Sequence, residues 1–275
     1  MIRITEPPRT PARRCYSAQV FTSVRQNTTS GRHGERRLRS VAAAKAPVRE
    51  PDVVSIPGGR FRMGTEGGRS DEAPSHDVEL APFFLGRTPV TRSEYEPFLA
   101  GTETSPPPWW FDPDFGKPDQ PVVGVTWDEA VAFTQWLSRE CGGRWRLPTE
   151  AEWEMAARGG LSAAATAWGA MVPAGEVPTG RLEAPWPVGR GFANPYGLYD
   201  ITTIVHEWCL DWYAADYYSV SPSRDPRGPE EGQRRSSRGG SWRHHVRWSP
   251  PTARSSLPPT YQYADYGLRV LREIG

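Results

Sequence analysis

The sequence has few cysteines, no long apolar run and no excess of charge of either sign. Its three cysteines, Cys15, Cys141 and Cys209, lie far apart without a CxxC pair, which argues against a disulfide framework or a structural zinc site. No segment approaches the roughly 18 apolar residues of a spanning helix, and the N-terminus lacks the apolar part of a secretion signal. The net charge of +1 disfavours nucleic-acid and membrane-surface binding. We therefore expect a cytoplasmic protein with small partners; no particular oligomeric state is predicted.

The first fifty residues differ in composition from the remainder. Residues 1–50 are rich in Arg, Ser and Thr and poor in acidic and aromatic residues, which is typical of a disordered basic leader. An organelle transit peptide or an upstream start-site error would have the same composition. Apolar residues patterned for strands then begin, so we place one globular domain at residues 51–275.

The rest of the chain is rich in residues that interrupt regular structure. Twelve tryptophans, 29 prolines and 27 glycines predict a loop-rich fold whose interior is filled by aromatic rings. Three Thr-x-x-Glu sequences, beginning at Thr91, Thr126 and Thr149, have the spacing of helix capping boxes. They predict three helices, of which the first contains Pro97 and should be kinked or shortened.

A late segment, Arg238–Ser249, crowds together two glycines, two histidines and two tryptophans. Gly239 and Gly240 would allow a tight turn or a close backbone approach. His244 and His245 would project to opposite faces of an extended segment, so one of them is expected to enter a given cavity.

Residues 146–160, Arg-Leu-Pro-Thr-Glu-Ala-Glu-Trp-Glu-Met-Ala-Ala-Arg-Gly-Gly, closely resemble the signature of the formylglycine-generating enzyme family, also called the sulfatase-modifying factor family. Six further blocks resemble that family in order, across residues 51–272. They are Ile56–Gly64, Pro121–Trp127, Asn194–Asp200, Arg238–Trp242, Ala253–Ser255 and Tyr266–Val270. The resemblance implies an α+β, C-type-lectin-like fold with little regular secondary structure.

The resembled family is chemically mixed, so resemblance does not by itself determine an activity. It includes copper-dependent oxidases that form formylglycine, iron-dependent sulfoxide synthases, a pyoverdine-maturation branch and paralogues without catalytic cysteines. The two copper-binding cysteines of the first group align with His244 and Ser249, so the archetypal copper(I) reaction is not expected. The sulfoxide synthases use histidines from an additional helical domain, which residues 1–50 cannot supply.

The resemblance also brings three metal-binding residue types to cavity positions. His206 stands where relatives have an active-site tryptophan, and Asp265 occupies a polar position before the last motif. With His244 they would form a two-histidine, one-carboxylate set, which suits iron(II) better than copper(I). We therefore predict a non-haem iron(II) oxidase or oxygenase, with His245 as a reserve ligand or catalytic residue. The alternative is three ordinary polar residues lining a vacant pocket.

A second metal site is implied beside the first. Asp200 and Glu207 match side chains that hold structural calcium in relatives, together with backbone carbonyls at Thr203 and Val205. Oxygen ligands suit calcium, although the usual Gly-Asn pair is replaced here by Thr203-Ile204. In the alternative, Asp200 and Glu207 only cap and hydrogen-bond the loop.

The remaining site predictions concern substrate. Ser241 matches a substrate-orienting serine of relatives, or else it satisfies a strand-end backbone group. Arg254 could anchor a carboxylate, or form a buried ion pair. Trp242 and the Trp109-Trp110 loop could line a ligand groove, or pack against the body.

Two functions of different classes remain at this level. One is an oxidoreductase acting on a peptide or small natural-product intermediate. The other is a non-catalytic, lectin-like binding protein that has lost the catalytic cysteines.

Overall fold

A computed structural model describes residues 48–162, 165–174 and 183–275. Most of the predicted leader, residues 1–47, lies outside the described residues. Val48 is buried in the core, and Glu50 pairs with Arg272 of the last strand. The chain therefore already contacts the domain three residues before position 51.

Three α-helices begin where the Thr-x-x-Glu sequences predict them. They are α1 (Arg92–Thr102), α2 (Trp127–Cys141) and α3 (Glu150–Arg158), and each threonine forms a complete capping box with its glutamate. Because the threonine oxygen and the glutamate carboxylate satisfy backbone N–H groups reciprocally, each helix has a defined start. Pro97 lies inside α1, which nevertheless continues to Thr102.

The described residues also contain ten short strands. In chain order they are β1 (Val53–Ile56), β2 (Gly59–Met63), β3 (His76–Leu80), β4 (Phe83–Gly86), β5 (Trp145–Arg146), β6 (His206–Trp212), β7 (Arg235–Arg238), β8 (Arg254–Leu257), β9 (Tyr266–Gly267) and β10 (Leu271–Glu273). They form sheets in the orders β1-β4-β10-β5, β2-β3 and β8-β7-β6-β9. The predicted α+β architecture with little regular structure is confirmed.

Most strand pairs are antiparallel, but β6 and β9 are parallel. Their register places His206 opposite Tyr266 and Glu207 opposite Gly267. Since successive side chains of a strand point to opposite faces, His206 and Glu207 face different surroundings.

Aromatic rings fill the interior as predicted. Between α1 and α2, the rings of Tyr95, Phe98, Phe133 and Trp136 contact one another with centroids 5.0–5.8 Å apart. A smaller cluster joins Ile204, Val205, Trp242 and Ala264, of which Val205 directly precedes His206 and Ala264 directly precedes Asp265 in the chain. None of the described helices has the length and apolar character needed to cross a membrane.

Candidate metal centre

The structure brings His206, His244 and Asp265 together. One potential ligand atom from each side chain lies within 4.8 Å of the other two, and the two imidazole centroids are 5.4 Å apart. These residues come from the start of β6, the loop after β7 and the position before β9. We call this set the His-His-Asp group.

Backbone hydrogen bonds position all three members. The His206 amide donates to the Asp265 carbonyl at 2.8 Å, so the parallel β6-β9 pairing ties these two residues together. The Trp242 amide donates to the Ile204 carbonyl at 3.0 Å, and the His244 amide donates to the Ser241 carbonyl at 2.8 Å. The turn that carries His244 is thereby held against the segment preceding His206.

The adjacent glycines make this close packing possible. Gly239 has a φ of +85°, in the region that side chains rarely adopt. A Cβ at Gly240 would lie 2.3 Å from the Ser249 Oγ and 2.4 Å from the Thr202 carbonyl oxygen. The predicted tight turn and close approach are both confirmed, and they bring the His244 loop to the sheet.

His206 is a largely buried imidazole with an unused nitrogen. Its exposed fraction is 9%, and its Nδ1 has no hydrogen-bond partner among the described residues. Burial lowers the pKa of His206 to about 4, with the nearby His244 acting in the same direction and Asp265 opposing both. The ring is therefore neutral at neutral pH, which leaves it able to donate a lone pair.

The three members differ in exposure. Asp265 is 8% exposed, whereas His244 is exposed. The ring of Tyr266 packs 5.0 Å from that of His206, a contact that sequence reasoning missed. The available signal was its position, directly after Asp265 and opposite His206 in the paired strands.

His245 does not join the group. Its Nδ1 accepts a hydrogen bond from the Arg247 amide at 3.2 Å, and it is the N-cap of a short helical turn, Val246–Trp248. This local hydrogen bond orients the His245 ring within its own turn. Only His244 of the two neighbouring histidines joins the group, although the segment forms turns and a short helix rather than the extended conformation assumed from the sequence.

Ser241 and Trp242 lie in the wall below the group. Ser241 is 1% exposed and its Oγ accepts from the Arg243 amide at 3.1 Å, which is the backbone role given as the alternative. Trp242 is 4% exposed and donates from Nε1 to the Ala264 carbonyl at 3.2 Å. Trp242 therefore supports the residue preceding Asp265.

The Trp109-Trp110 loop packs on the body of the domain. Trp110 packs against the core formed by α1 and α2, with the Arg92 guanidinium 3.9 Å above its ring. Trp109 packs against the Trp242 cluster, and its ring centroid is 6.5 Å from that of Phe115. These contacts match the packing alternative, with Trp109 on the same cluster as the wall of the His-His-Asp group.

Arg254 is buried in ion pairs. It is 1% exposed; its Nε and Nη2 donate to the two Glu150 oxygens at 2.9 Å, and its Nη1 donates to the Asp71 carbonyl at 2.7 Å. With every guanidinium nitrogen bonded to protein, the geometry matches the ion-pair alternative rather than a substrate anchor. We call Glu150, Glu154, Arg238 and Arg254 the ionic core, since Arg238 donates to both glutamates.

The Glu207 carboxylate does not fit a calcium ion. It is fully buried, accepts three hydrogen bonds of 2.8–3.1 Å from Arg269, and accepts a fourth from the Trp153 Nε1 at 2.7 Å. A guanidinium cation already neutralises this carboxylate, and it would repel a second cation.

Asp200 likewise accepts hydrogen bonds from protein groups around it. One of its oxygens accepts from the Gly189 amide at 2.6 Å and the other from the Trp186 Nε1 at 3.3 Å, while its carbonyl accepts from the Thr203 amide at 3.2 Å. Burial raises the pKa of Asp200 to about 6. Asp200 and Glu207 thus hydrogen-bond to protein groups, as in the alternative to calcium binding, and the Thr203 amide is one of the donors to Asp200.

The described cysteines are remote from this chemistry. Cys141 ends α2, and Cys209 is fully buried in the core beneath α3. Neither belongs to the His-His-Asp group, and Cys15 lies outside the described residues.

Comparisons with known proteins agree with the architecture. A model of the sulfatase-modifying factor enzyme 1-like domain matches residues 39–274. The formylglycine-generating enzyme of Streptomyces coelicolor is 32% identical over 84% of this chain and 93% of its own length. The formylglycine-generating enzyme of Thermomonospora curvata is 34% identical over 70% and 83% of the two chains.

A solved structure gives the same result in three dimensions. PvdO from Pseudomonas aeruginosa aligns with a TM-score of 0.70 and 28% identity, covering 82% of this chain and 95% of that one. These likenesses confirm the predicted formylglycine-generating-enzyme, C-type-lectin-like fold.

Proposed function

Because the chain belongs to the sulfatase-modifying factor enzyme 1-like family, we propose that it is an oxidoreductase that holds iron(II) at His206, His244 and Asp265. The observation that carries the proposal is the convergence of two imidazoles and one carboxylate, with ligand atoms within 4.8 Å. Its substrate class is a peptide or a small natural-product intermediate, a class supported by the formylglycine-generating enzymes among its relatives.

The donor set suits iron(II) in number and type. Two imidazoles and one carboxylate would hold iron(II) and would leave coordination positions for dioxygen and substrate. Donors bound at about 2.1 Å to one ion lie closer together than the 4.8 Å within which these atoms fall, so metal binding would draw the side chains together. The exposed His244 side chain is the member with freedom to make that movement.

Copper(I) does not fit the same residues. Copper(I) prefers thiolate and thioether ligands, and neither described cysteine lies in the group. His244 and Ser249 stand at the positions where the family resemblance places the copper-binding thiols, and they offer nitrogen and oxygen instead.

Each residue has a distinct task in this proposal. Iron(II) bound here would supply dioxygen binding and activation beside the substrate. His206 is held neutral by burial, so it can bind the ion without first releasing a proton. Asp265 contributes a negative charge that partly balances the dication, and the Tyr266 ring restricts rotation of His206.

Metal stoichiometry of anaerobically purified protein tests the proposal. We expect about one iron per chain in the wild type, and at least a tenfold loss of affinity in His206→Gln and His244→Gln, because each removes one of three ligands. His245→Gln removes a neighbouring imidazole outside the group and is the matched control. Thermal unfolding of each variant separates lost binding from lost folding.

Unchanged iron binding in both ligand variants would refute the assignment. A folded wild type that takes up no iron would instead favour the non-catalytic binding protein. Retention of copper(I) in preference to iron(II), with loss in the same variants, would keep the site but change its metal.

A further inference from the structure

A cavity of about 770 Å³ is lined in part by Arg247 and Trp248, on the loop that carries His244. Its lining joins the segment between β2 and β3 to residues 247–253 and the end of α3. The charged lining residues are Arg62, Arg69, Arg158, Arg247, Glu66 and Glu72. This volume is typical of a site for a small ligand or a few residues of peptide.

The four arginines keep hydrogen-bonding capacity beyond their contacts with protein. Arg62 donates through Nε and Nη1, and Arg69 and Arg158 donate through Nε and Nη2. The third nitrogen of each makes no hydrogen bond to another described residue. Arg158 is also nine-tenths buried, with 9% of its side chain exposed, so it offers a donor on a fixed guanidinium.

Arg247 and Trp248 line the cavity and follow His244 closely in the chain. The Arg247 guanidinium lies 4.8 Å from the Trp248 ring centroid, and it makes no ion pair with the described part of the chain. Trp248 is 67% exposed and lines the cavity. An exposed indole beside an unpaired guanidinium offers stacking and a charge-assisted hydrogen bond to one ligand.

Glu66 and Glu72 in the lining favour a peptide over a more highly charged ligand. Glu66 is ionised at neutral pH, since hydrogen bonds from Ser75 lower its pKa. Glu72 is 3% exposed and accepts from the Thr252 Oγ1 at 2.7 Å. Carboxylates among the arginines oppose the dense charge of a polyphosphate, yet they can accept peptide N–H groups.

We infer that this cavity binds a short acidic peptide segment that also carries an aromatic side chain. The arginines hold its carboxylates, and Trp248 stacks on its ring. His244 and Arg247 are three residues apart, so their Cα atoms are at most about 11 Å apart. A peptide bound here is therefore delivered to the same loop that presents His244, which goes beyond the iron assignment and does not depend on it.

Calorimetric titration of the metal-free protein tests the inference. The probes are three capped tripeptides, acetyl-Asp-Phe-Asp-amide, acetyl-Asn-Phe-Asn-amide and acetyl-Asp-Ala-Asp-amide. We expect the first to bind about tenfold or more tightly than the second, because charge-assisted hydrogen bonds are lost with the carboxylates. Trp248→Ala should abolish the preference for the first over the third.

Variants of Arg247 test whether the peptide binds in this cavity. Arg247→Gln should weaken the first peptide about tenfold, while Arg247→Lys should restore part of its affinity. Arg144→Gln removes an exposed guanidinium that does not line the cavity, and it should leave binding unchanged. Because no metal is present, loss of iron binding elsewhere cannot produce these results.

Equal affinity for the Asp and Asn peptides would overturn the inference. So would an effect of Arg144→Gln as large as that of Arg247→Gln, which would indicate general charge attraction. Competition by inorganic phosphate at the concentration of the peptide would show an anion site without peptide recognition.

Discussion

The two faces of β6 differ in how completely their buried polar side chains are hydrogen-bonded. Glu207 uses both oxygens, with Arg269 and Trp153 as donors. His206, the preceding residue, is also largely buried, yet its Nδ1 has no partner among the described residues. A paired buried charge holds the fold in one arrangement, whereas an unpaired buried nitrogen costs free energy that a bound ion can recover.

The ionic core, like Glu207, consists of buried charges that are paired with one another. Glu150 accepts from Arg238, Arg254 and Ser236 at 2.9–3.0 Å, and these arginines hold the pKa of Glu150 at about 2 against the opposing effect of burial. Both oxygens of Glu150 and of Glu154 accept hydrogen bonds from buried arginines, although Arg238 Nε has no partner among the described residues. In the His-His-Asp group, by contrast, no group of the described residues bonds to the buried His206 Nδ1, as the proposed metal site requires.

The largest expected effect comes from breaking the ionic core. Glu150→Gln would leave the buried Arg254 guanidinium without its carboxylate and Arg238 with Glu154 alone, so we expect the free energy of unfolding to fall by about 3–5 kcal/mol. Denaturant unfolding measures this loss. Arg60→Gln breaks an exposed pair with Glu79 and should cost less than about 1 kcal/mol; comparable losses in both variants would contradict the comparison.

A pH-dependent effect of intermediate size is expected at Asp211. Burial, followed by the nearby Glu150, raises the pKa of Asp211 to about 8, above the value near 4 of an unfolded Asp. Between these values the folded state retains a proton that the unfolded state has released, so stability falls as pH rises from about 4 to 8. Asp211→Asn should remove this slope and stabilise the protein at pH 8 by about 1–3 kcal/mol.

Urea unfolding of wild type and Asp211→Asn at pH 5, 6.5 and 8 measures that slope. The two proteins should differ least at pH 5 and most at pH 8. Parallel curves across this range would show that Asp211 ionises normally in the folded state.

The smallest stability effect is expected on the functional face. His206→Leu replaces an imidazole with an unpaired nitrogen by an apolar side chain, so metal-free stability should change by less than about 1 kcal/mol, while iron binding is lost. Glu207→Gln, one residue away on the paired face, should cost about 3 kcal/mol or more because Arg269 remains charged and buried. Equal losses of stability in His206→Leu and Glu207→Gln would contradict the proposed difference between the two faces of β6.

The structural elements that could be predicted from the sequence depend on contacts between residues that are close together in the chain. Each capping box joins residues three positions apart, so its geometry depends on the local backbone alone. The ionic core could not be found this way. Its partners Glu150 and Arg254 are 104 residues apart, although the recurrence of Arg254 within a family-like block was a usable signal.

The candidate site could be predicted only because the family resemblance indicated which distant positions lie in one cavity. His206, His244 and Asp265 converge as expected, but sequence could not decide how neighbouring donors would be used. His245 became a helix cap and Glu207 became the partner of Arg269. Hydrogen-bond competition among nearby groups determined both outcomes.

By itself, the sequence determined the three helix starts, the glycine turn before His244 and the aromatic interior. Only the tertiary structure decided which polar groups are paired and which nitrogen is left unpaired. The physical reason is that pairing and desolvation depend on distances between residues far apart in the chain, and those distances exist only once the strands have assembled.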